Sequence, residues 1–380
     1  MKGFLRKLAP FSPDYSGVNA VFHELGGLVI INGADGCIGN VTGYDEPRFF
    51  SQNTLIVSSG LREINAIIGD EESLMQKIND LGLKQNINFV ILLGTPTSAV
   101  IASDHKGISK LVTESLEIPV HAIGTTGMET YEIGVEKGLL KLAESFVQPL
   151  EVKTGGVNII GCTPLDYWGP NQVNEMILAL ETEQVKVNSC WTMREGICGI
   201  RKTLAADINL VVSTAGIKAA KYLEERYGIP YVVGVPIGKQ GTKKIADQIK
   251  QVCDMDELVE RSTDKRDEID TLIIGDHVWA NSFRNYLEFK NKKAQIVVGS
   301  FFMMAVEYLR DDDCSFESED DFLNKVALLK PKKIIGDPMY KKLLKESWAI
   351  QFVEIPHLAV SSRLHWDHEI TYVGNNIEIV

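Results

Sequence analysis

The chain has 380 residues, 44% of them hydrophobic and 24% charged, with a formal net charge of −12. That length exceeds one typical core and predicts two or three domains. The acidic balance excludes a surface built to neutralise nucleic-acid phosphates. There is no polybasic run for anionic lipid, and no apolar run approaches the roughly 20 residues of a membrane span. The N-terminal "MKGFLRKLAPFSPDYSG" has too short an apolar patch for a signal peptide. The expectation is a cytoplasmic protein whose partners are small molecules or other proteins.

In chain order, short apolar runs alternate with helical patterns. The first group of expected strands is 28–32, 54–58, 88–93 and 120–123. A polar junction at 147–156 follows, and the pattern restarts with "VNIIG" at 157–161, then 185–189, 208–213 and 231–235. After a charge-dense linker at 260–270 it restarts again with "TLIIG" at 271–275, then 294–299, 333–336 and 351–355. Most are four to six apolar residues bounded by Gly or Asp, the mark of strands buried on both faces of a parallel sheet. Between them lie amphipathic helices such as "GIKAAKYLEERYG", which stops on a Gly C-cap. The fold class is therefore α/β: three Rossmann-like αβα domains with mainly parallel sheets, at 1–150, 151–265 and 266–380. The acidic stretch "RDDDCSFESEDDF" at 310–322 reads as a solvated loop and helix N-terminus.

Where would chemistry sit? The first strand breaks into a turn, Gly33-Ala-Asp35-Gly36, that carries Cys37. The turn is read either as a nucleotide cradle or as a mount for a thiolate. "GADGCIG" is not GxGxxG and lacks the following acidic residue, so NAD is not expected. "GVPIGKQGT" at 234–242 has the wrong spacing for a P-loop and places Gln240 where Ser or Thr should hold magnesium; it reads as a loop before a helix at Lys243. The six cysteines, Cys37, Cys162, Cys190, Cys198, Cys253 and Cys314, contain no CxxC, which argues against a disulfide framework or a self-contained zinc site. Cys162, Cys190 and Cys198 are expected in the second domain's core. His365, Asp367 and His368 cluster on what reads as a polar strand edge.

These segments, in order, resemble component 1 of the nitrogenase-type oxidoreductases, a family that includes nitrogenase catalytic subunits, their cofactor-assembly scaffold relatives and the light-independent protochlorophyllide and chlorophyllide reductases. "INGADGCIGN" resembles the family's Gly-Cys loop, and "FVILLGTPTSAVIASD" occupies the place of a later strand and loop. "GGVNIIGCTPLDYWGPNQ", "AADINLVVS" and "YLEERYGIP" follow the second domain, and "KPKKIIGDPMYKKLLKESWAIQFVEIPH" the third. The resemblance covers essentially the whole chain and implies three αβα domains around a central cavity. It also resolves the turn as a thiolate mount, with Gly33 and Gly36 at φ > 0 letting the backbone approach an anionic cluster.

Departures from the family pattern shape the expected function. Of the cysteines that usually hold the bridging cluster, only Cys37 is kept; "SPDYSGVNA" and Thr95-Pro96-Thr97-Ser98 stand where others would be. The cofactor cysteine is also missing, its strand ending Val212-Ser213-Thr214. A cubane cluster needs about four ligands. Cys37, with Asp35 or Asp14 at best, would therefore be one ligand of a 4Fe-4S cluster shared between subunits. The resemblance implies a homo- or hetero-oligomer with a component 1 sister chain and electrons from a separate ATP-dependent iron–sulfur reductase, with ATP bound only on that partner. It implies a small-molecule substrate in a cavity bordered by Thr95, Ser98, Ser213 and Thr214, with His357 as proton donor. Nitrogen fixation is not expected without the cofactor thiolate. The other reading is a non-catalytic scaffold or binding protein on the same fold, handling a metallocluster precursor or a partner subunit.

Overall fold

The computed structural model describes residues 5–51, 54–68, 71–84, 87–150, 153–254, 269–367 and 370–377. Most of the charged linker at 260–270, its boundary at 265 and His368 lie outside these residues. Three parallel sheets are formed in chain order. The first is built from β1 (Leu28–Asn32), β2 (Leu55–Ser58), β3 (Val90–Gly94) and β4 (Val120–Ile123), ordered β2-β1-β3-β4. The second comprises β5 (Val157–Ile160), β6 (Val187–Cys190), β7 (Ile208–Val211) and β8 (Tyr231–Val233), ordered β6-β5-β7-β8. The third holds β9 (Thr271–Ile274), β10 (Ile296–Ser300), β11 (Cys314–Ser315), β12 (Lys333–Gly336) and β13 (Gln351–Glu354), ordered β11-β10-β9-β12-β13.

The central strands are buried along their whole length, as continuous Val/Ile/Leu runs require when helices cover both faces. Register is regular: Leu28 to Asn32 pair in step with Val90 to Gly94, and Val157 to Ile160 with Ile208 to Val211. In each sheet the strand order reverses beside the first strand, between β1 and β3, β5 and β7, and β9 and β12. Those three reversals are where crevices open outside the carboxyl ends of the strands.

The expected strands are all present, with ends shifted by up to two residues. The acidic stretch at 310–322 behaves differently from a wholly solvated loop. It contributes the edge strand β11, which pairs with β10 through Gly299 and Ser300. Its Asp313 side chain is 1% exposed. Its Oδ1 accepts from Arg284 Nη1 at 2.5 Å and from Val298 N at 2.9 Å, and its Oδ2 accepts from Arg310 N at 2.9 Å. The rest follows expectation: Ser318 caps the helix Glu319–Leu329, whose first turn is acidic. Burial alone would raise the Asp313 carboxyl, but its hydrogen bonds and the Arg284 charge win and hold it at about 2. A depressed carboxyl contributes stability that is whole above its unfolded value of 3.8 and is lost as pH falls toward about 2. The stability gap between wild type and Asp313→Asn, measured by urea unfolding, should therefore be constant above pH 4 and shrink between pH 4 and about 2. A gap independent of pH there would refute the assignment.

Both chain ends cross to other units. The amides of Arg6, Lys7 and Leu8 all donate to Glu319 Oε1, each at 2.9 Å. After β13 the chain returns to the second sheet, where Gly374 bridges Ile237 and Asn375 Oδ1 accepts from Thr242 Oγ1 at 2.9 Å. Among the described residues no helix is long and apolar enough to cross a membrane.

Candidate functional site

The residues singled out in the sequence fall at two places. The first is the β1/β3 reversal. Asp35 to Asn40 form a short helix with no buried residue, and Cys37 is half-buried on it. Neither Gly33 nor Gly36 has positive φ, which corrects the expected reason for these glycines. Gly33 is required by crowding instead: a Cβ there would lie 2.3 Å from Thr95 Oγ1. Gly36 faces open space, so its lack of a side chain leaves the helix surface bare. Thr95 donates to Asn32 O at 2.9 Å and closes a reciprocal cap with Ser98 at the start of the helix Pro96–Val100. Thr95 and Ser98 are thus spent on holding the two strand ends together. Asp14 is spent as well, accepting from the amides of Tyr15, Thr126 and Gly127.

The second place joins all three units. The His357 imidazole follows β13 and is buried, with Nε2 donating to Asp166 Oδ1 at 3.1 Å and lying 3.2 Å from Tyr131 Oη. Tyr131 Oη also donates to Asp166 Oδ1. Asp166 comes from the loop after β5, and Tyr131 starts the helix Tyr131–Ser145 that follows the first sheet. Rings of Tyr131 and Phe302 stand edge-on to the imidazole, 5.6 and 5.4 Å between centroids. Asp337, just past β12, accepts from His357 N at 2.7 Å. Asp276, just past β9, caps the helix His277–Lys290 and accepts from Thr214 N at 3.0 Å. That bond places Ser213 and Thr214, at the end of β7, against the third sheet. A small cavity of about 30 Å³ opens here, lined by Asp166, Asp276, Trp279, Ile355, His357 and Tyr372 among others.

Burial pushes Asp276 and Asp337 up from the ordinary carboxylate range; the neighbouring Asp166 charge adds to the rise at Asp276, and the amides that cap each oppose it. Burial likewise pushes Glu132, next to Tyr131, to about 7. For His357, burial would depress the imidazole, but the Asp166 hydrogen bond and the charges of Asp166, Asp337 and Asp276 outweigh it and raise it above 6.5. The imidazolium is therefore favoured to a higher pH than in a free imidazole, and the stability it confers fades as pH rises through its raised value. In Asp166→Asn the opposing charge is lost and burial dominates. NMR titration should then show His357 titrating lower than in wild type; an unchanged titration would deny Asp166 this role.

Which of these could the sequence have shown? Asp276 and Asp337 each follow a strand and a glycine (Gly275-Asp276 and Gly336-Asp337) and each caps the next helix. That repeat was readable. Asp166, Tyr131 and Tyr372 arrive from loops or from the far end of the chain and carry no local signal. Three smaller expectations also fail. Cys162 and Cys190 are buried as expected, but Cys198 is exposed on the helix Gly196–Arg201. His365 lies in a 3₁₀ turn, Ser362–His365, rather than on a strand, so the i, i+2 face-sharing with Asp367 does not arise. The helix expected at Lys243 begins earlier, at Gly238.

A cubane cluster needs about four ligands. Among the described residues no group of three or more His, Cys, Asp or Glu is placed to hold a metal ion. Cys37 is accessible enough to give one thiolate, but this chain alone does not fit such a cluster.

Three parallel αβα units whose strand ends converge on a buried acid–imidazole junction define an α/β protein with a candidate site where the units meet. The profile of the family described as nitrogenase component 1 type oxidoreductase matches residues 14–311, so the chain belongs to that family. It is 22% identical over 195 residues to one of the polypeptides of the light-independent protochlorophyllide reductase of Pyropia yezoensis, covering 48% of this chain and 38% of that protein. It is 25% identical over 258 residues to the nitrogenase iron-molybdenum cofactor biosynthesis protein NifE of Rippkaea orientalis, covering 63% and 53%. The matches thus span about two-fifths to half of these relatives' length. A solved structure of nitrogenase Cp1 at pH 6.5 superposes with a TM-score of 0.71 at 14% identity, covering 99% of this chain and 91% of that one, which establishes the shared fold.

Proposed function

We propose that this chain is a cytoplasmic component 1 subunit of a nitrogenase-like reductase that reduces a small organic molecule at the three-unit junction. The observation that carries the reading is the His357–Asp166–Tyr131 network, built from all three units beside a cavity at the strand ends. An imidazolium favoured by Asp166, whose carboxylate the Tyr131 hydroxyl also holds, can deliver a proton to a bound molecule. Burial by Phe302 and Tyr131 keeps bulk water from short-circuiting that transfer.

Electrons would enter through an iron–sulfur cluster to which Cys37 gives one ligand and a second chain gives the rest. They would come from a separate ATP-dependent iron–sulfur reductase. The surface around Cys37 suits a partner chain. Segments tied to its helix expose Tyr44, Ile64, Ile67 and Leu364, with Leu61 N donating to Gly33 O and Ser362 Oγ to Tyr44 O. On this reading the three sheets are three domains, 1–150, 151–265 and 266–380. The non-catalytic alternative keeps the same interface and needs no proton network, so the junction favours the enzyme.

Anaerobic affinity purification from the native host tests the assembly. A cysteine-rich sister chain, or a second copy of this chain, retained together with iron is expected. A lone chain without metal would overturn the reductase reading.

A further inference from the structure

A cluster of sulfur atoms in the second unit takes no part in the junction. β5 and β6 pair in parallel with Ile159 beside Cys190, and Cys162 follows just past the end of β5. The turn after β6 folds back over that end: Trp191 N donates to Ile159 O at 2.9 Å, and Thr192 Oγ1 donates to Cys162 O. Thr192 takes φ 70° to make this turn, a left-handed value that β-branched residues avoid. The turn brings Met193 Sδ to 3.8 Å from Cys162 Sγ, and the Cys162 thiol also shares a hydrogen bond with the Cys190 thiol. Both cysteines are free and buried, while Met193 is half-buried and the following Arg194 is exposed.

Core packing buries cysteines one at a time and needs no such meeting, and sulfur contacts are weak as hydrogen bonds. Sulfurs that share one trigonal ion at about 2.3 Å stand about 4 Å apart. The 3.8 Å between Cys162 and Met193 already has that spacing. Two thiols and a thioether are a soft donor set, the kind that selects Cu(I). Among the described residues no histidine or carboxylate joins the two cysteines as a third ligand, so a four-coordinate zinc shell is not available. Burial holds the Cys162 thiol well above the ordinary thiol range, and the Arg48 charge works against that rise. A monovalent ion bound here displaces both thiol protons to water and leaves one net negative charge, which Arg48 favours. We infer that Cys162, Cys190 and Met193 form a buried site for a single Cu(I) ion, held by two thiolates and one thioether. The site is separate from Cys37 and does not depend on the reductase reading.

The test is anaerobic titration of the purified full-length chain with Cu(I) in competition with bicinchoninate. The accessible thiols, Cys37 and Cys198 among them, are first alkylated in the native protein with iodoacetamide, so that they cannot take the ion. About one Cu(I) per chain should be retained, and X-ray absorption at the copper edge should show two or three sulfur neighbours at about 2.3 Å with no nitrogen or oxygen. Cys162→Ala and Cys190→Ala should each abolish retention, and Met193→Leu should weaken it about tenfold. No copper held by the alkylated wild type, a first shell with nitrogen or oxygen in it, or unchanged affinity in any folded variant of the three would overturn the inference. The stoichiometry and the absorption spectrum are read on the wild-type sequence, so a failure of a variant to fold leaves the test intact.

Discussion

Arg48→Met should cost about 3–5 kcal/mol of stability, the usual penalty for stripping one partner from a buried ion pair. Arg48 is 11% exposed and uses all five of its N–H donors. Nε and Nη2 grip both oxygens of Glu46 at 2.7 and 2.8 Å, Nη1 reaches Glu24 Oε1 and Thr192 O, and Nη2 also reaches Ala20 O, each at 2.9 Å. Glu46 is 1% exposed, so methionine would leave its carboxylate without a charged partner, holding only the Arg48 backbone N at 3.1 Å and the His23 ring 3.9 Å away. Burial already pulls His23 down, which makes it a poor replacement cation. Arg48 also ties the first unit to the second through Thr192, while Glu24 accepts from Arg194 N at 2.8 Å. Arg48→Lys, which keeps charge without the fork, should fall between wild type and Arg48→Met in urea midpoint. A midpoint for Arg48→Met within error of wild type would contradict the account.

Gly134→Ala should be nearly as damaging, at about 3 kcal/mol, the upper end for an overpacked methyl. The helices Asp14–Phe22 and Tyr131–Ser145 cross with glycines facing backbone: a Cβ on Gly134 would lie 1.8 Å from Asp14 O, and one on Gly17 would lie 2.0 Å from Tyr131 O. Neither obstacle is a side chain that could swing away, so the helices would have to separate. The separation would act at the site, because Tyr131 opens the second of these helices and its hydroxyl holds Asp166. Lower thermal stability together with a lowered His357 pKa is expected in Gly134→Ala. An alanine accommodated with neither change would show that the crossing is not rigid.

Much of the fold was legible because buried parallel strands write themselves as continuous apolar runs. "LVIIN", "VILLG", "VNII" and "TLII" each became a fully buried strand. β11 was hidden because it is two residues long and sits among acids, and Asp313 is buried only because Arg284, from another element, neutralises it. The site was legible in part. His357 and the Ser213-Thr214 turn could be placed by their position after apolar runs, and both reach the junction. Thr95 and Ser98 have the same local grammar, yet they cap their own helix. Residue type after a strand marks the carboxyl end of a sheet; which ends converge is decided by packing between units, which no local pattern carries. Tyr372 is the extreme case, reaching Asp166 O at 2.8 Å from 206 residues away.

Two features of the chain carry the proposed reductase reading: the half-buried Cys37 thiol at the first reversal and the His357 imidazole, raised by Asp166, at the junction. The first is the weaker link, since one thiolate commits the chain to sharing any cluster. Iron and acid-labile sulfide per anaerobically purified complex, for wild type and Cys37→Ala, test it directly. The account predicts about four irons per shared cluster in wild type and their loss in Cys37→Ala with the partner chain still bound. The same iron content in both proteins, or none in either, would contradict it.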